Sequence, residues 1–226
     1  MPADPMAPMM MSSALPALVE PAALPAMLVP ARTALLLIDI QRDFVAPDGA
    51  LGQAGIDMAP LEAPLQRIEA LLAAARAAGV LPVFVRVVTR ADTDSAALRL
   101  MTQRKGEDLA NIAICRAGTP GVEFYRVQPQ AGELQVEKRL YSGFSGTDLE
   151  QQLRQRGIDT LLVCGYTTEC CVDSTVRDAF ERDFHVFIAA DACAAYAADL
   201  HHASLCALGL SCALLVDSAA VLQAWT

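Results

Sequence analysis

Residues 147–171, TDLEQQLRQRGIDTLLVCGYTTECC, contain in one stretch the unit that decides the fold. Residues 147–156 have the apolar spacing of a helix, and Thr147-x-x-Glu150 has the form of a capping box at its start. Gly157 stands where a helix C-cap is expected. Residues 160–164 (TLLVC) are apolar at consecutive positions, and a second helical pattern begins near Cys171. A strand that is apolar on both faces and lies between helices is typical of a parallel sheet covered on both sides.

The same alternation runs through the chain from residue 34 onward. The other predicted strands are 34–39 (ALLLID), 81–88 (LPVFVRVV), 134–137 (LQVE), 186–190 (VFIAA) and 212–216 (CALLV). The other helical patterns lie at about 61–78, 171–182 and 199–208, with a short one after Asp217. We therefore predict one α/β domain over residues 31–226, a doubly wound, mainly parallel six-stranded sheet with helices on both faces.

Residues 1–30 differ from the rest, since they are rich in Pro, Ala and Met. They lack the basic start and uninterrupted apolar centre of a signal peptide, and repeated prolines exclude a long helix. We expect a loose extension, an arm on a neighbouring subunit. A second irregular stretch, residues 89–132, shows no clear period and is long for a loop, which predicts a lid or specificity segment.

Composition excludes several classes of function. The net charge of -9 disfavours nucleic-acid binding, which needs clustered Lys and Arg. No run of about 18 apolar residues lacks a Pro or a charge, so no membrane span is expected. The seven cysteines are odd in number and contain no C-x-x-C, which argues against a disulfide framework and a zinc cluster. We expect a reduced, cytoplasmic protein.

Three chemically useful side chains follow predicted strands. Ligands of such sheets bind outside the carboxyl ends of the strands. Asp39 ends the first strand, Lys138 follows the third, and Cys170 and Cys171 follow the fourth. Asp39 is either a cap of the next turn or a desolvated general base, and Lys138 is either a solvated charge or the partner of both acid and thiol.

The two adjacent cysteines lie at the expected start of a helix, where unpaired N–H groups lower a thiol pKa and bind oxyanions. Neighbouring helical residues point about 100° apart, so only one of them faces the strand ends. Burial in the core is the alternative for either, and spacing alone does not choose between them.

Cofactor and metal signatures are missing from the sequence. No G-x-G-x-x-G follows the first strand, and the three histidines are His185, His201 and His202, with no His-x-x-x-His. We expect no cofactor and no metal, and a small molecule as the ligand.

Two segments, LLLIDIQRDF (35–44) and VEKRLYSGFSGTDLEQQLRQRGIDTLLVCGYTTECCVDSTVRDAF (136–180), resemble the isochorismatase-like cysteine hydrolases, and the likeness extends from about residue 34 to the C-terminus. Gly165, Thr168, Cys171 and Val172 fall on the family pattern G-x-x-T-x-x-C-V. The resemblance implies an Asp39–Lys138–Cys171 triad with Cys171 as nucleophile. It also implies an oxyanion hole from the N–H groups of Thr167 and Cys171, with a cis peptide between Tyr166 and Thr167.

The resemblance further implies cleavage of a C–N bond through a thioester, and a homodimer or homotetramer. True isochorismatases, which cleave a vinyl ether, generally lack the cysteine, and nicotinamidases of the family bind a metal through early histidines that this chain lacks. The segments RLYSGFSGTDLEQQLRQRGI and CVDSTVRDAF are most similar to ureidoacrylate amidohydrolases, with biuret hydrolases and N-carbamoylsarcosine amidohydrolases as further relatives.

Residues near the triad are candidate contacts for the substrate. They are Gln41, Phe44, Arg139, Tyr141, Phe144 and Tyr166. Packing for the aromatic residues and solvation for Arg139 are the alternatives. A nicotinamidase-like or other amidase, a redox sensor using Cys170 and Cys171, and a non-catalytic member of the fold remain as other functions.

Overall fold

All six predicted strands form one sheet in the computed structural model, which describes residues 14–226. Every neighbouring pair is parallel, and the order across the sheet is β3-β2-β1-β4-β5-β6. The strands are β1 Thr33–Ile38, β2 Leu81–Val87, β3 Leu134–Lys138, β4 Thr160–Tyr166, β5 His185–Ala194 and β6 Leu214–Val216. The predicted sheet is thus confirmed, with β5 extending beyond its predicted end.

The helices between the strands include the predicted ones and several short additions. The α-helices are α1 Leu24–Met27, α2 Arg42–Val45, α3 Ala50–Gln53, α4 Glu62–Ala78, α5 Ala96–Arg104, α6 Leu149–Gln155, α7 Asp173–Phe180, α8 Ala198–Ser211 and α9 Ser218–Ala224. A π-helical turn, Thr168–Val172, precedes α7. Within residues 14–226, no helix is both long and apolar enough to cross a membrane.

Two cores lie on the two faces of the sheet, because alternate residues of each strand point to opposite sides. Leu35 and Leu37 of β1 join the core beneath α4 and α9. Leu36 and Ile38 join the core beneath α6, α7 and α8. Every residue of β1 is buried, which explains its continuous apolar run and confirms that helices cover both faces.

The strand order reverses between β1 and β4. From β1 the chain winds outward through β2 and β3, and then returns to the other side of β1 as β4. The connections above the carboxyl ends of β1 and β4 diverge in opposite directions and leave a crevice, which is where such sheets bind ligands. Asp39 follows β1, and Cys170 and Cys171 follow β4, so the fold brings both to this crevice.

The N-terminal stretch corrects one expectation. Leu24 and Leu28 are fully buried in the core beneath α9, and the Trp225 indole donates a 3.1 Å hydrogen bond to the Leu28 carbonyl. The Val19 N–H donates to the Leu215 carbonyl at 2.9 Å. Residues 19–28 therefore pack on their own domain and are not a loose arm, since their leucines fill space above the sheet. Residues 1–13 lie outside the described residues.

Local signals had mixed outcomes. Gly157 adopts the left-handed conformation (φ 72°) that ends α6, as predicted. The capping box at Thr147 is wrong, because the Thr147 hydroxyl donates to the Gly143 carbonyl and accepts from the Leu149 N–H at 3.4 Å, not from the Glu150 N–H that a capping box requires. The irregular 89–132 segment contains α5, whose start is capped by the Ser95 hydroxyl accepting from the Leu98 N–H.

Candidate active site

Asp39 is held at the end of β1 by the neighbouring strand. Its φ is 50°, its side chain is buried, and its Oδ1 accepts a 2.9 Å hydrogen bond from the Val87 N–H at the end of β2. Its own N–H donates to the Val85 carbonyl at 2.9 Å. The carboxylate therefore faces across the strand ends and does not cap the turn that follows β1.

Lys138, the last residue of β3, is 2% exposed and reaches over the end of β2 to the carboxylate. Its Nζ donates to Asp39 Oδ2 at 2.7 Å and to the Leu140 carbonyl at 2.8 Å. The third contact of Nζ is Cys171 Sγ at 3.3 Å. The ammonium thus connects acid and thiol, and a solvated surface charge is excluded for Lys138.

Cys171 lies in the π-helical turn and is 8% exposed, and interaction with its thiol opposes the rise of the Asp39 pKa. Cys170 is half-buried and directly precedes Cys171 in the same turn. The turn thus directs the Cys171 thiol to Lys138, which in turn binds Asp39. Asp39, Lys138 and Cys171 are the candidates for catalysis, and we call them the catalytic cluster.

Burial and charge set the proton positions in this cluster. Burial raises the pKa of Asp39, against the opposing attraction of the Lys138 ammonium. Burial alone would lower the pKa of Lys138, but the attraction of Asp39 and Cys171 outweighs it and the pKa is raised. The hydrogen bond with Cys170, burial and the Asp39 charge raise the pKa of Cys171 well above its usual range. These directions favour a neutral thiol on Cys171 and a charged ammonium on Lys138 beside the Asp39 carboxyl group.

The same hydrogen bond has the opposite effect on the second thiol. It lowers the pKa of Cys170, although burial opposes the shift. The lowered pKa therefore favours Cys170 as the nucleophile, whereas the position beside Lys138 and Asp39 favours Cys171. We favour Cys171, because a nucleophile of raised pKa requires the adjacent proton acceptor that only Cys171 has.

The turn that carries Cys171 begins with a cis peptide between Tyr166 and Thr167, as the resemblance implied. The Thr167 N–H lies outside all helices and strands and has no hydrogen-bond partner among the described residues. Thr167 and Cys171 both line one cavity. The N–H of Thr167 is therefore available to a ligand of that cavity.

The cavity at the catalytic cluster has a volume of about 290 Å³. Four of the six predicted substrate contacts line it: Phe44, Arg139, Tyr141 and Tyr166. Of these, Tyr166 is 1% exposed and donates its hydroxyl to the Leu61 carbonyl, so it presents only its ring. Side chains from the 89–132 segment, including Leu98 and Ile112, complete the lining, which supports the specificity role predicted for that segment.

Two predicted contacts lie outside this lining, and we do not retain them. The Gln41 amide is buried and fully used, since it donates to the Val87 and Val122 carbonyls and accepts from the Val87 N–H. Phe144 packs against Phe184 with ring centroids 5.7 Å apart, in the core on the α6 face of the sheet. Both side chains have a structural role, which their closeness in sequence to Asp39 and Lys138 does not reveal.

A larger cavity of about 590 Å³ lies at the other end of the sheet, where β4, β5 and β6 begin. Its lining includes Thr160 and His185, the first residues of β4 and β5, and an ion pair between Arg32 and Asp159. No residue of the catalytic cluster belongs to it. Size alone would favour this cavity as the ligand site, but the smaller one is lined by Cys171, whose thiol lies 3.3 Å from the buried Lys138 ammonium, and we take the smaller one for that reason.

Known proteins share this sequence pattern and this fold. The Isochorismatase domain family model matches residues 33–220. The chain belongs to the isochorismatase family. It is 34% identical over 170 residues to the ureidoacrylate amidohydrolase RutB of Stutzerimonas stutzeri, covering 71% of this chain and 68% of that protein.

Solved structures of isochorismatase-family proteins have the same architecture. A cysteine hydrolase from Pseudomonas syringae pv. phaseolicola superimposes with a TM-score of 0.76 at 32% identity, covering 87% of this chain and 93% of the other. N-carbamoylsarcosine amidase from Thermoplasma acidophilum gives a TM-score of 0.65 at 25% identity, covering 83% and 96%. The chain is thus an isochorismatase-family hydrolase with the all-parallel α/β fold of these relatives.

Several groups that build this isochorismatase-family site carry no signal in the sequence. The Val87 N–H and the Leu140 carbonyl act through the backbone, which any residue supplies. The Thr175 hydroxyl donates to the Cys171 carbonyl at 2.7 Å, and His201 Nδ1 of α8 lies 2.8 Å from the hydroxyl of Thr168, itself a residue of the sequence pattern. Across residues 14–226, no three His, Cys, Asp or Glu side chains are grouped as metal ligands.

Proposed function

We propose that this protein is a cysteine amidohydrolase that cleaves a C–N bond of a small ureido or carbamoyl compound through a covalent thioester. The observation that carries the proposal is the catalytic cluster, in which the Lys138 ammonium contacts both the Asp39 carboxylate and the Cys171 thiol beside a cavity. Relatives named as an amidohydrolase and an amidase act on such bonds, and support hydrolysis of non-peptide C–N bonds.

The first step makes the nucleophile. Asp39 takes the thiol proton of Cys171, and the resulting thiolate stays beside the Lys138 ammonium, which stabilises it in a site shielded from water. Sγ then attacks the carbonyl carbon of R–NH–CO–NH₂, and the carbonyl π electrons move to the oxygen.

The developing oxyanion needs donors on the same side of the cavity. In this proposal the N–H groups of Thr167 and Cys171 supply them, and each such donor contributes about 3 kcal/mol of transition-state stabilisation. As the tetrahedral intermediate collapses, the C–N bond to the R-bearing nitrogen breaks. The departing amine R–NH₂ takes the proton held by Asp39. The product of this half is an S-carbamoyl thioester on Cys171.

The second half restores the enzyme. Asp39, again a carboxylate, takes a proton from water, and the hydroxide attacks the thioester carbon. The C–S bond breaks, Cys171 Sγ recovers its proton from Asp39, and carbamate leaves and decays to ammonia and carbon dioxide. No step in this scheme uses a metal or a redox change.

A substrate panel tests the proposal. The purified protein is assayed for ammonia or amine release from ureidoacrylate, biuret, N-carbamoyl amino acids, nicotinamide and a simple aliphatic amide. We expect ureido and carbamoyl compounds to be turned over fastest, and an intermediate of thioester mass to accumulate on Cys171 after rapid acid quench. Preferred turnover of nicotinamide or of the aliphatic amide would contradict the substrate class, and no turnover of any compound would contradict the function.

Removal of metal ions is a separate prediction. Because no histidine precedes residue 185, the early Asp and His ligand set of the nicotinamidases is missing. We expect full activity after exhaustive dialysis against a chelator, with no stoichiometric transition metal by elemental analysis. Loss of activity that only added zinc, iron or manganese restores would show that the scheme lacks a component.

A further inference from the structure

The wall of the active-site cavity that the 89–132 segment contributes is largely apolar. Leu98 and Met101 project from the same side of α5, three residues apart, and Ile112 and Ile114 follow from the next stretch of chain. Phe44, Val87 and Leu140 add further apolar surface from the sheet edge. An apolar lining binds a ligand by removing apolar area from water.

Charge in the same lining gives no preference for an anion. Apart from the cluster and its neighbouring thiol, the charged side chains lining the cavity are Arg139 and Glu107, one of each sign. Both are exposed, so water screens each of them. Recognition of a small carboxylate needs desolvated or converging cations, and the described lining offers one solvated Arg with an opposing Glu.

From this lining we propose that the preferred substrate carries an uncharged aliphatic group on the ureido nitrogen, bound against Leu98, Met101, Ile112 and Ile114. The proposal rests on the proposed function and assigns the chemistry of R in R–NH–CO–NH₂. Met101 is 43% exposed without a ligand, so an aliphatic group placed there would cover apolar surface that water otherwise contacts.

A series of N-alkylureas from methyl to 3-methylbutyl tests the apolar wall. Each added methylene that leaves water contributes about 0.8 kcal/mol, so kcat/KM is expected to rise about three- to fourfold per carbon until the cavity is filled. The acid 3-ureidopropionate has the shape of 3-methylbutylurea with a carboxylate in place of the branched end. We expect the neutral compound to exceed it by at least about tenfold, the factor for roughly two buried methyl groups.

Two variants of α5 locate the effect. Met101→Ala shortens a side chain of the lining and should flatten the rise of kcat/KM along the series. Leu100→Ala is the matched control, because Leu100 neighbours Met101, is similarly exposed at 45%, and does not line the cavity. Circular dichroism of both variants checks that α5 and the fold are retained.

The outcomes separate this inference from the proposed function. A flat or falling series, or faster turnover of 3-ureidopropionate than of its neutral counterpart, overturns the inference while hydrolysis of ureides stands. An equal effect of Met101→Ala and Leu100→Ala also overturns the placement of R on α5. Absence of turnover for every ureide, amide and acid of both test sets would instead remove the proposed function.

Discussion

At the scale of single residues, a few contacts distinguish the thiol of Cys171 from that of its neighbour Cys170. Cys170 and Cys171 are adjacent and both line the cavity, but of these two thiols only that of Cys171 forms a hydrogen bond with Lys138. Buried charge is tolerated here because acid and base satisfy each other, with further hydrogen bonds from Val87 to Asp39 and from Lys138 to Leu140.

The two thiols give the first prediction. Cys171→Ala removes the nucleophile and should lower kcat/KM by at least about a thousandfold, as loss of a covalent nucleophile does in other hydrolases. Cys170→Ala leaves the cluster intact and should reduce it by less than about tenfold, because the side chain only lines the cavity. Steady-state kinetics on the best ureide measures both.

The same two variants would also show whether Cys170 is the nucleophile instead. Equal losses, or a larger loss at Cys170, would show that the thiol with the lowered pKa is the nucleophile and that the assignment of Cys171 is wrong. Unchanged circular dichroism spectra are required of both variants, since Cys171 is buried and its loss leaves a small void.

The pH dependence is a second prediction at this scale. Asp39 acts as base only when ionised, and burial raises its pKa above the ordinary carboxyl value. The acid limb of kcat/KM should therefore lie above about pH 4, the usual range of an aspartate, and activity should fall about tenfold per pH unit below it. Lys138 keeps its charge across this limb because its pKa is raised.

A pH–rate profile on a substrate without ionisable groups measures this limb directly. A profile that stays flat down to about pH 4 would show that no buried carboxylate acts as the base. Asp39→Asn, which cannot accept the proton, should abolish turnover at every pH.

At the scale of elements, the site requires β1 and β4 to approach closely at their carboxyl ends. Gly165 pairs with Ile38, one residue before Asp39, and its φ of 125° is strained for any residue with a side chain. A Cβ there would lie 2.1 Å from the Ile38 carbonyl oxygen. The glycine thus lets the strand that precedes the nucleophile lie against the strand that precedes the base.

Substitution of this glycine gives a third prediction. Gly165→Ala should lower the free energy of unfolding by more than about 2 kcal/mol, since strain and a backbone clash add, and should reduce activity by separating Asp39 from the turn. The control is Gly157→Ala, because Gly157 has a φ of 72° and open space around it. That change should cost about 1 kcal/mol, with little loss of activity.

Urea unfolding followed by circular dichroism measures the two changes in stability. Equal stability losses for Gly165→Ala and Gly157→Ala would show that the close approach of β1 and β4 is not a strict requirement. Normal kcat/KM in a folded Gly165→Ala protein would show that catalysis does not require the close contact between β1 and β4.

At the scale of the whole molecule, apolar surface remains exposed at the end of the sheet where the strands begin, opposite the active site. Met27, Phe180, Leu210 and Leu214 are each more than 40% exposed, and all four line the larger cavity. Exposed apolar side chains that lie together on a surface are typical of protein–protein contacts. Together with the 54% hydrophobic composition, they favour a homodimer or homotetramer.

The fourth prediction follows from this surface. Light scattering at micromolar concentration should give a mass that is a multiple of the 24.0 kDa chain, two or four. A monomer mass under those conditions would contradict it and would leave this apolar surface facing water.

The sequence by itself determined that the chain forms a parallel sheet, the order of strands and helices along the chain, and the positions of Asp39, Lys138 and Cys171 at strand ends. It could do so because consecutive apolar residues between helices require a sheet buried on both faces, and the ends of parallel strands carry ligand sites. The resemblance to cysteine hydrolases supplied the choice of Cys171 that spacing alone did not make.

Only the tertiary structure decided what depends on distance between segments far apart in the chain. It placed Lys138 Nζ 2.7 Å from Asp39 across β2, took Gln41 and Phe144 out of the cavity, and buried Leu24 and Leu28 in the core. It also brought α5 to the cavity wall. Periodicity reports which face of an element is apolar, but not which neighbour covers it, because that depends on how the whole chain packs.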